Sequence, residues 1–260
     1  MNKTINFFSR NLKEVLRDPI IYIFCLAFPI VMLILFSVLN NFTGGNTPTF
    51  ELYSLLPGII TFSYSFVMLT LSLLVSKDKQ TFFLKRLYSS PMKALDFIFG
   101  YALVGLITGL VQTLISIVTS FIISIILKVA FISFIDVLLL ILSQIPMLII
   151  NVFLGILFGT IFTDKSAPGI SSIFISLSGI VGGCWMPLDT MGGFETFCRC
   201  LPFYPSVYLG RITTSATKTL GGFYTFDNIA KLGLIPIFIF LVLSIMLAYF
   251  AFKNTMVSDN

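Results

Sequence analysis

Six runs of this chain are apolar enough, and close enough to the ~20 residues a helix needs to cross a hydrocarbon core, to constrain every other reading. They are Ile20–Leu39, Tyr53–Val75, Phe97–Leu127, Val137–Phe162, Gly169–Trp185 and Leu232–Phe252, and none contains a Lys, Arg or Glu. The third, at about 1.5 Å per residue, outruns a ~30 Å core and must tilt or protrude. Only 10% of the 260 residues are charged, where a soluble domain carries about 25%, and the mean hydropathy is +1.02. The runs are continuous rather than alternating, which favours helices over the strands of a barrel, the other structure that pairs every backbone group in lipid. The expected fold is therefore all-α, a polytopic integral membrane protein with six transmembrane helices in a bundle over residues 20–252.

Basic residues set the orientation. With six spans both termini share a side, and that side collects Lys3, Arg10, Lys13, Arg17, the five from Lys77 to Lys93, Lys165 and Lys253, eleven of the sixteen. Lys128, Arg199, Arg211, Lys218 and Lys231 lie opposite, four of them in one long segment where the positive-inside rule is weak. Both termini are expected in the cytoplasm. The polar start, with no small-residue cleavage site after Ile20–Leu39, marks that run as a retained span rather than a secretory signal. Membrane lipid accounts for the basic residues, and no nucleic-acid partner is expected.

Ahead of the first span, "KTINFFSRNLKEVLRDP" places Ile5, Phe8, Leu12, Val15 and Leu16 on one helical face and Asn6, Arg10, Lys13 and Arg17 away from it. Residues 3–18 read as an amphipathic helix in the inner interface, with Pro19 turning the chain into the bilayer. Between the second and third runs, residues 76–96 form the largest cytoplasmic loop. Ser76 to Leu87 can form a helix with Phe82, Phe83, Leu84 and Leu87 near its end, and Ser90-Pro91 offers an N-cap followed by proline at the first helical position.

Little in the chain can do bond chemistry. There is no histidine, hence no imidazole base or ligand, and no metal site is expected. Asp96, Asp136 and Asp164 sit at the ends of spans, whereas a proton-coupled carrier needs an acid at mid-bilayer, and a membrane enzyme needs acids or nucleophiles clustered at one face. No G-x-x-x-x-G-K-[ST] phosphate loop occurs. Cys184 lies close enough in sequence to Cys198 and Cys200 to leave an outer disulfide open. Gly105-x3-Gly109 and Gly155-x3-Gly159 have the spacing that lets helices approach closely, within one subunit or across a dimer seam.

Two stretches carry a resemblance. "DKQTFFLKRLYSSPMKALDFIFG" resembles the loop after the second span in permeases of the type-2 ABC exporter superfamily, through Asp78, Thr81, Leu84, Arg86, Leu87, Ser90 and Pro91; Gln80 stands where that family usually has glycine. "SGIVGGCWMPLDTMGGFETFCRCLPFYPSVYLGRI" is similar to the family's outer motif at Gly179, Gly182, Gly183, Trp185, Pro187, Leu201, Pro202, Tyr204, Pro205 and Arg211. The resemblance spans nearly the whole of residues 1–260 as one domain. It implies a connecting helix at 3–18, a coupling loop at 76–96 seated on a cytosolic ABC ATPase subunit through Asp78, Thr81, Phe82, Phe83, Arg86 and Leu87, and a re-entrant outer segment at 186–231 carrying Trp185, Pro187, Pro202, Pro205 and Arg211. ATP and Mg would be bound by that partner, leaving this chain without a cofactor or catalytic residue. A second permease copy, or a homologous permease, would face this one across the path in a bacterial cytoplasmic membrane. Family spans two and five line that path, which here points to Phe62, Tyr64, Ser65 and Phe66 in "TFSYSF" and to Ser172 and Ser176 in "SSIFISLSG". Aromatics mixed with hydroxyls suit an amphipathic drug or antimicrobial peptide; a lipid-linked glycan and sodium are the alternative cargoes.

The charge distribution makes the topology testable. With single cysteines introduced at Lys79 and Thr217, an impermeant thiol reagent applied to intact cells is expected to label Thr217→Cys and spare Lys79→Cys; labelling of Lys79→Cys from outside would overturn the orientation.

Overall fold

Proline and glycine decide where the apolar runs become helices. The computed structural model describes residues 3–19, 22–44, 47–81, 83–84 and 92–258. Helix α1 covers Lys3–Val15. A π-helical turn follows at Tyr22–Ala27 and leads into α2, Phe28–Phe42. Pro29 has no N–H for the carbonyl four residues back, so an unbroken α-helical ladder is impossible there and the wider turn absorbs the fault. Then come α3 at Leu52–Gln80, α4 at Ala94–Leu127, α5 at Phe134–Ile161 and α6 at Ala167–Val181. Two short helices, α7 at Gly193–Arg199 and α8 at Phe203–Thr213, precede the long α9 at Asn228–Ser258. Among the described residues there is no β-strand, only an isolated bridge between Thr217 and Phe223.

Among the described residues five helices are long and apolar enough to cross a membrane: Ile23–Phe42, Leu52–Gln80, Ala94–Leu127, Phe134–Ile161 and Asn228–Val257. The fifth apolar run forms only the 15-residue α6, about 22 Å long, because the chain leaves the helix at Gly182 and turns through a positive φ of 61° at Gly183. The expected continuation of that span to Trp185 is thus cut short. By contrast α4, at 34 residues and about 51 Å, extends well past any hydrocarbon core. At its start Asp96 accepts the backbone N–H of Lys93 and the hydroxyl of Thr4, which ties the first turn of α4 to α1.

Helix α3 is the centre of the bundle. It packs against α2, α4, α5, α6 and α8, and nearly all its side chains are buried. Three of its hydroxyls are met by polar groups of its neighbours. Thr61 donates to the Gln144 amide oxygen at 2.7 Å, the Gln144 amide donates to the Ser206 carbonyl at 3.0 Å, Tyr64 pairs with Thr113 at 2.7 Å and Ser65 with Ser178 at 2.7 Å. Both glycine pairs work inside the chain. Gly155 and Gly159 of α5 lie on the backbone of α3 at Met68 and Ser72, while Gly105 and Gly109 of α4 receive Leu71, Val152 and Leu148.

Helix α1 docks with a face turned from the expected one. Phe7, Asn11 and Val15 are buried, whereas Ile5 and Leu16 are exposed and Phe8 and Leu12 half-buried. The helix has two apolar sides, one inserted into the bundle over Gly100 and one left for lipid. Phe7 makes edge-to-face contacts with Phe97 at 5.3 Å and Tyr101 at 5.0 Å, the geometry that aromatic quadrupoles favour.

At the far end Asp227 caps α9, accepting the N–H groups of Ile229 and Ala230 at 3.0 and 3.1 Å. The close approach of α5 to α3 is the most demanding contact. A Cβ at Gly155 would stand 2.6 Å from the Met68 carbonyl oxygen, which is backbone and cannot move aside. Gly155→Val is expected to cost about 1–3 kcal/mol through overpacking and to lower the thermal unfolding midpoint in detergent, while Gly169→Ala, with open space around it, leaves the midpoint unchanged or raised.

Candidate functional site

Charge is concentrated where α1 crosses the ends of α3 and α4. Asp78, in the last turn of α3, is 1% exposed. Its Oδ2 accepts a hydrogen bond from Arg10 Nη1 at 2.6 Å and another from the Tyr101 hydroxyl at 2.7 Å. Arg10 also pairs with Glu14 at 2.6 Å, and Glu14 with Lys77 at 3.1 Å. The Arg10 guanidinium lies 4.1 Å over the Phe83 ring, and Phe83 stacks on Phe7. Burial draws the Arg10 pKa down, but the hydrogen bond and charge of Asp78, with Glu14, more than reverse this, so it is held above its ordinary value. Nearby, Lys79 Nζ donates to the Thr160 carbonyl at 2.7 Å, a cation at the negative end of α5.

The expected coupling residues are placed differently from one another. Asp78 is buried against Arg10 and Tyr101, because a carboxylate so close to the apolar core is stable only under a matching cation and a hydroxyl. Phe83 stacks on Phe7 of α1 beneath the Arg10 guanidinium. Thr81 is exposed and bonds back to the Lys77 carbonyl. Phe82, Arg86 and Leu87 lie outside the described residues. Arg10 and Tyr101 are the partners that the sequence pattern missed. The one signal for them is that Asp78 falls within the reach of an otherwise apolar helix and so demands a buried partner.

A string of aromatic rings runs from this end of the bundle along α2 and α3. Phe24 stacks on Phe66 at 5.6 Å, Phe66 meets Phe62 at 5.5 Å, Phe62 meets Trp185 at 4.7 Å, Trp185 lies 6.0 Å from Phe36, and Phe36 lies 5.1 Å from Phe50. Phe28 covers the middle, touching Phe66 at 4.7 Å and Phe62 at 5.5 Å. Of the expected path residues, Phe62 and Phe66 belong to this string. Tyr64 does not: it is buried on another side of α3 against Thr113 of α4, since a phenol amid apolar side chains needs a partner. Ser65 is likewise spent on Ser178. Ser172 and Ser176 are exposed on α6, each donating to its own helix backbone.

At the opposite end a second cation is buried. Arg211 is 1% exposed, and its guanidinium donates to the carbonyls of Ser54 and Gly183 and to the Tyr224 hydroxyl. It therefore joins the start of α3, the turn after α6 and the hairpin at 217–223. The carbonyls at the end of α6 carry the negative pole of that helix, which offsets part of the burial cost. Trp185 packs on Phe62 and Phe36, Pro187 opens the turn at Leu188–Thr190, Pro202 precedes α8 as its N-cap, and Pro205 abuts Gly233 of α9. The four cysteines are free thiols. Among the described residues no group of His, Cys, Asp and Glu is arranged to hold a metal.

The family model for the ABC-2 type transporter matches residues 3–214, from the first residue of α1 to just past Arg211. This chain belongs to the ABC-2 type transporter family. Comparison with curated proteins gives no match. The ABC-2 permease is a multi-pass membrane protein and the transmembrane component of an ABC exporter, not its ATPase. The matched range takes in the Asp78 knot, the aromatic string and the Arg211 clamp, and leaves out α9.

Removing one partner of the knot strands a buried charge. Arg10→Gln is expected to destabilise the permease by about 3–5 kcal/mol, and adding Asp78→Asn to recover much of that loss. Unfolding in detergent of the two single variants and the double variant measures it; additive losses would mean that the pair is not coupled.

Proposed function

We propose that this permease is one half of an ATP-driven exporter in a bacterial cytoplasmic membrane, with both termini in the cytoplasm, and that it carries an amphipathic or lipophilic cargo, a drug or an antimicrobial peptide, outward. Membership of the ABC-2 family supports an ATPase as the working partner. The observation that carries the cargo class is the aromatic string from Phe24 to Phe50. Such a row of rings supplies apolar faces along most of the first span, with no buried charge among them to repel a lipophile. In this reading the short α6 serves as the fifth of six spans, α7 and α8 form the re-entrant outer segment of 186–231, and a second permease copy or a homologous permease completes the path. ATP and Mg are held by the cytosolic ATPase.

Residues 76–96 are then the ATPase seat, with a division of labour. Phe83, under α1, supports the loop from inside, and Phe82 and Leu87 are the residues proposed to contact the ATPase. Co-expression with the ATPase tests both the complex and the seat. Export in proteoliposomes should require ATP and both subunits. Phe82→Ala with Leu87→Ala should leave the permease folded but remove co-purification with the ATPase and cargo-stimulated hydrolysis, since one fully buried side chain of this size is worth about 1.5–3 kcal/mol. Lys77→Gln with Lys79→Gln should act more mildly. If the charge pair abolishes assembly and the apolar pair leaves it intact, the loop is held by lipid rather than by the ATPase.

A further inference from the structure

A groove of about 360 Å³ lies between α2 and α4, toward the C-terminal ends of both helices. Ile30, Ile34 and Ser37 belong to one wall and Ile122, Ile123 and Ile126 to the other, and no charged side chain lines it. Two hydroxyls do. Thr119 donates its proton to the Ile115 carbonyl of its own helix at 2.8 Å, the usual way for a hydroxyl on a helix to be satisfied. Ser37 is 5% exposed, and its Oγ has no hydrogen-bond partner. Water is a poor answer to it, since a buried water needs about two to four polar partners and these walls offer one unspent donor in an otherwise apolar space. The occupant that matches is an apolar chain carrying a hydrogen-bond acceptor near its outer end. Lys128 adds a charge beyond that point. It directly follows Leu127, the last residue of α4 in the lining, ends the helix in the left-handed conformation at a φ of 55°, and is exposed, with no ion pair to a described residue. Outward from Ile30 the groove therefore presents apolar walls, then one unspent hydroxyl, then an ammonium. A diacyl phospholipid, followed from its chains outward, presents methylenes, then an ester carbonyl, then a phosphate.

From this match we infer that the groove is a specific site for one acyl chain of a phospholipid, with Ser37 donating to its ester carbonyl and Lys128 facing its phosphate. The lipid belongs to the leaflet at the Lys128 end, the outer one in the orientation proposed above, and the site depends on no particular cargo. Ile30, Ile34 and Ser37 stand on the side of α2 turned away from Phe28 and Phe36, which belong to the aromatic string. A chain seated there fills the gap between the first span and α4, restoring the dispersion contacts that an empty gap forfeits, without entering the string.

Two lipids that differ only in the carbonyl test the site. Diester phosphatidylglycerol has the acceptor and its dialkyl ether analogue lacks it. The probe is a phosphatidylglycerol with a diazirine in one acyl chain, photolysed with the full chain in maltoside micelles and located by peptide mass spectrometry. Labelling is expected on residues 30–38 and 119–127 above that on α9, although α9 also exposes large apolar side chains such as Phe238 and Met246. Unlabelled diester lipid should compete at least threefold better than the diether; Ser37→Ala should abolish that difference and Ser37→Thr keep it. Lys128→Gln should reduce the preference for phosphatidylglycerol over phosphatidylcholine while leaving the ester preference intact. Ile34→Trp, a plug in the groove, should lower labelling of both walls at least threefold in a protein whose thermal unfolding is otherwise normal. Labelling of α9 equal to that of the groove would show a general lipid coat only and overturn the inference. So would equal competition by diester and diether, or an ester preference that survives Ser37→Ala. A disulfide between two copies of Ile34→Cys, with the groove unlabelled, would give the place to a second permease and overturn it as well.

Discussion

Five glycines from four different helices face α3, and the bundle depends on that convergence. Gly105 of α4, Gly155 and Gly159 of α5, Gly179 of α6 and Gly210 of α8 each lie where a Cβ would collide with an atom of α3 or its side chains. In lipid no hydrophobic force drives one apolar helix onto another, so association rests on close van der Waals packing and on hydrogen bonds that have no water to compete for them. Glycine supplies the first by removing side chains from the seam. The hydroxyls of α3, Thr61 with Gln144 of α5, Tyr64 with Thr113 of α4 and Ser65 with Ser178 of α6, supply the second. A helix held this way has almost no lipid-facing surface of its own, which is why its neighbours, not α3, carry the exposed leucines, isoleucines and phenylalanines.

Polar fixation at its two ends complements this packing. At one end the Asp78 carboxylate, with Arg10 and Tyr101, binds α1 and α4 to the last turn of α3. At the other, Arg211 gathers the Ser54 carbonyl at the start of α3 and the Gly183 carbonyl after α6. Each charge is buried, and each is compensated differently, the carboxylate by a cation and a phenol, the guanidinium by backbone carbonyls and a phenol. Neither arrangement tolerates the loss of one member, because what remains is an unpaired charge in a low dielectric.

Much of this was legible in the sequence, and the parts that were not have identifiable causes. Hydropathy located the long helices because apolar composition and length suffice for that. Periodicity identified α1 but put Ile5, Phe8, Leu12, Val15 and Leu16 on one face, of which Val15 alone is fully buried, since a helix lying between protein and lipid has two apolar sides and periodicity cannot say which is which. Phe7 and Asn11, inserted beside Val15, stand at the edge of that pattern. The shortness of α6 was hidden because Gly182 and Gly183 count as apolar in a hydropathy window while breaking the helix by conformation. Asp78 was read as a loop residue because a charged residue at the end of a run looks solvated, and the cation that buries it is 68 positions away. Tyr64 was grouped with Phe62 and Phe66 by adjacency, yet side chains two apart on a helix point to different neighbours.

The distribution of contacts around α3 also says where the structure can change. Seams built on glycine and buried hydrogen bonds join α3 to α4, α5, α6 and α8, and the charged contacts at both ends add to them. The seam with the first span is different in kind. Beside the buried Leu33 it includes ring-on-ring contacts among Phe24, Phe28, Phe62 and Phe66 and one weak Cys25–Thr70 contact at 3.5 Å, and no glycine of the described residues interlocks it. Aromatic contacts of this sort contribute about 0.5–1.5 kcal/mol each and keep much of their strength when rings slide or tilt, whereas a backbone seated on a glycine has one acceptable position. Among the described residues the first span is also the one whose helix is interrupted, by the π-helical turn at Tyr22–Ala27. Weak directional contacts and an interrupted helix fall on the same side of α3, so the first span is the element that moves with least cost while the remainder of the bundle stays in register.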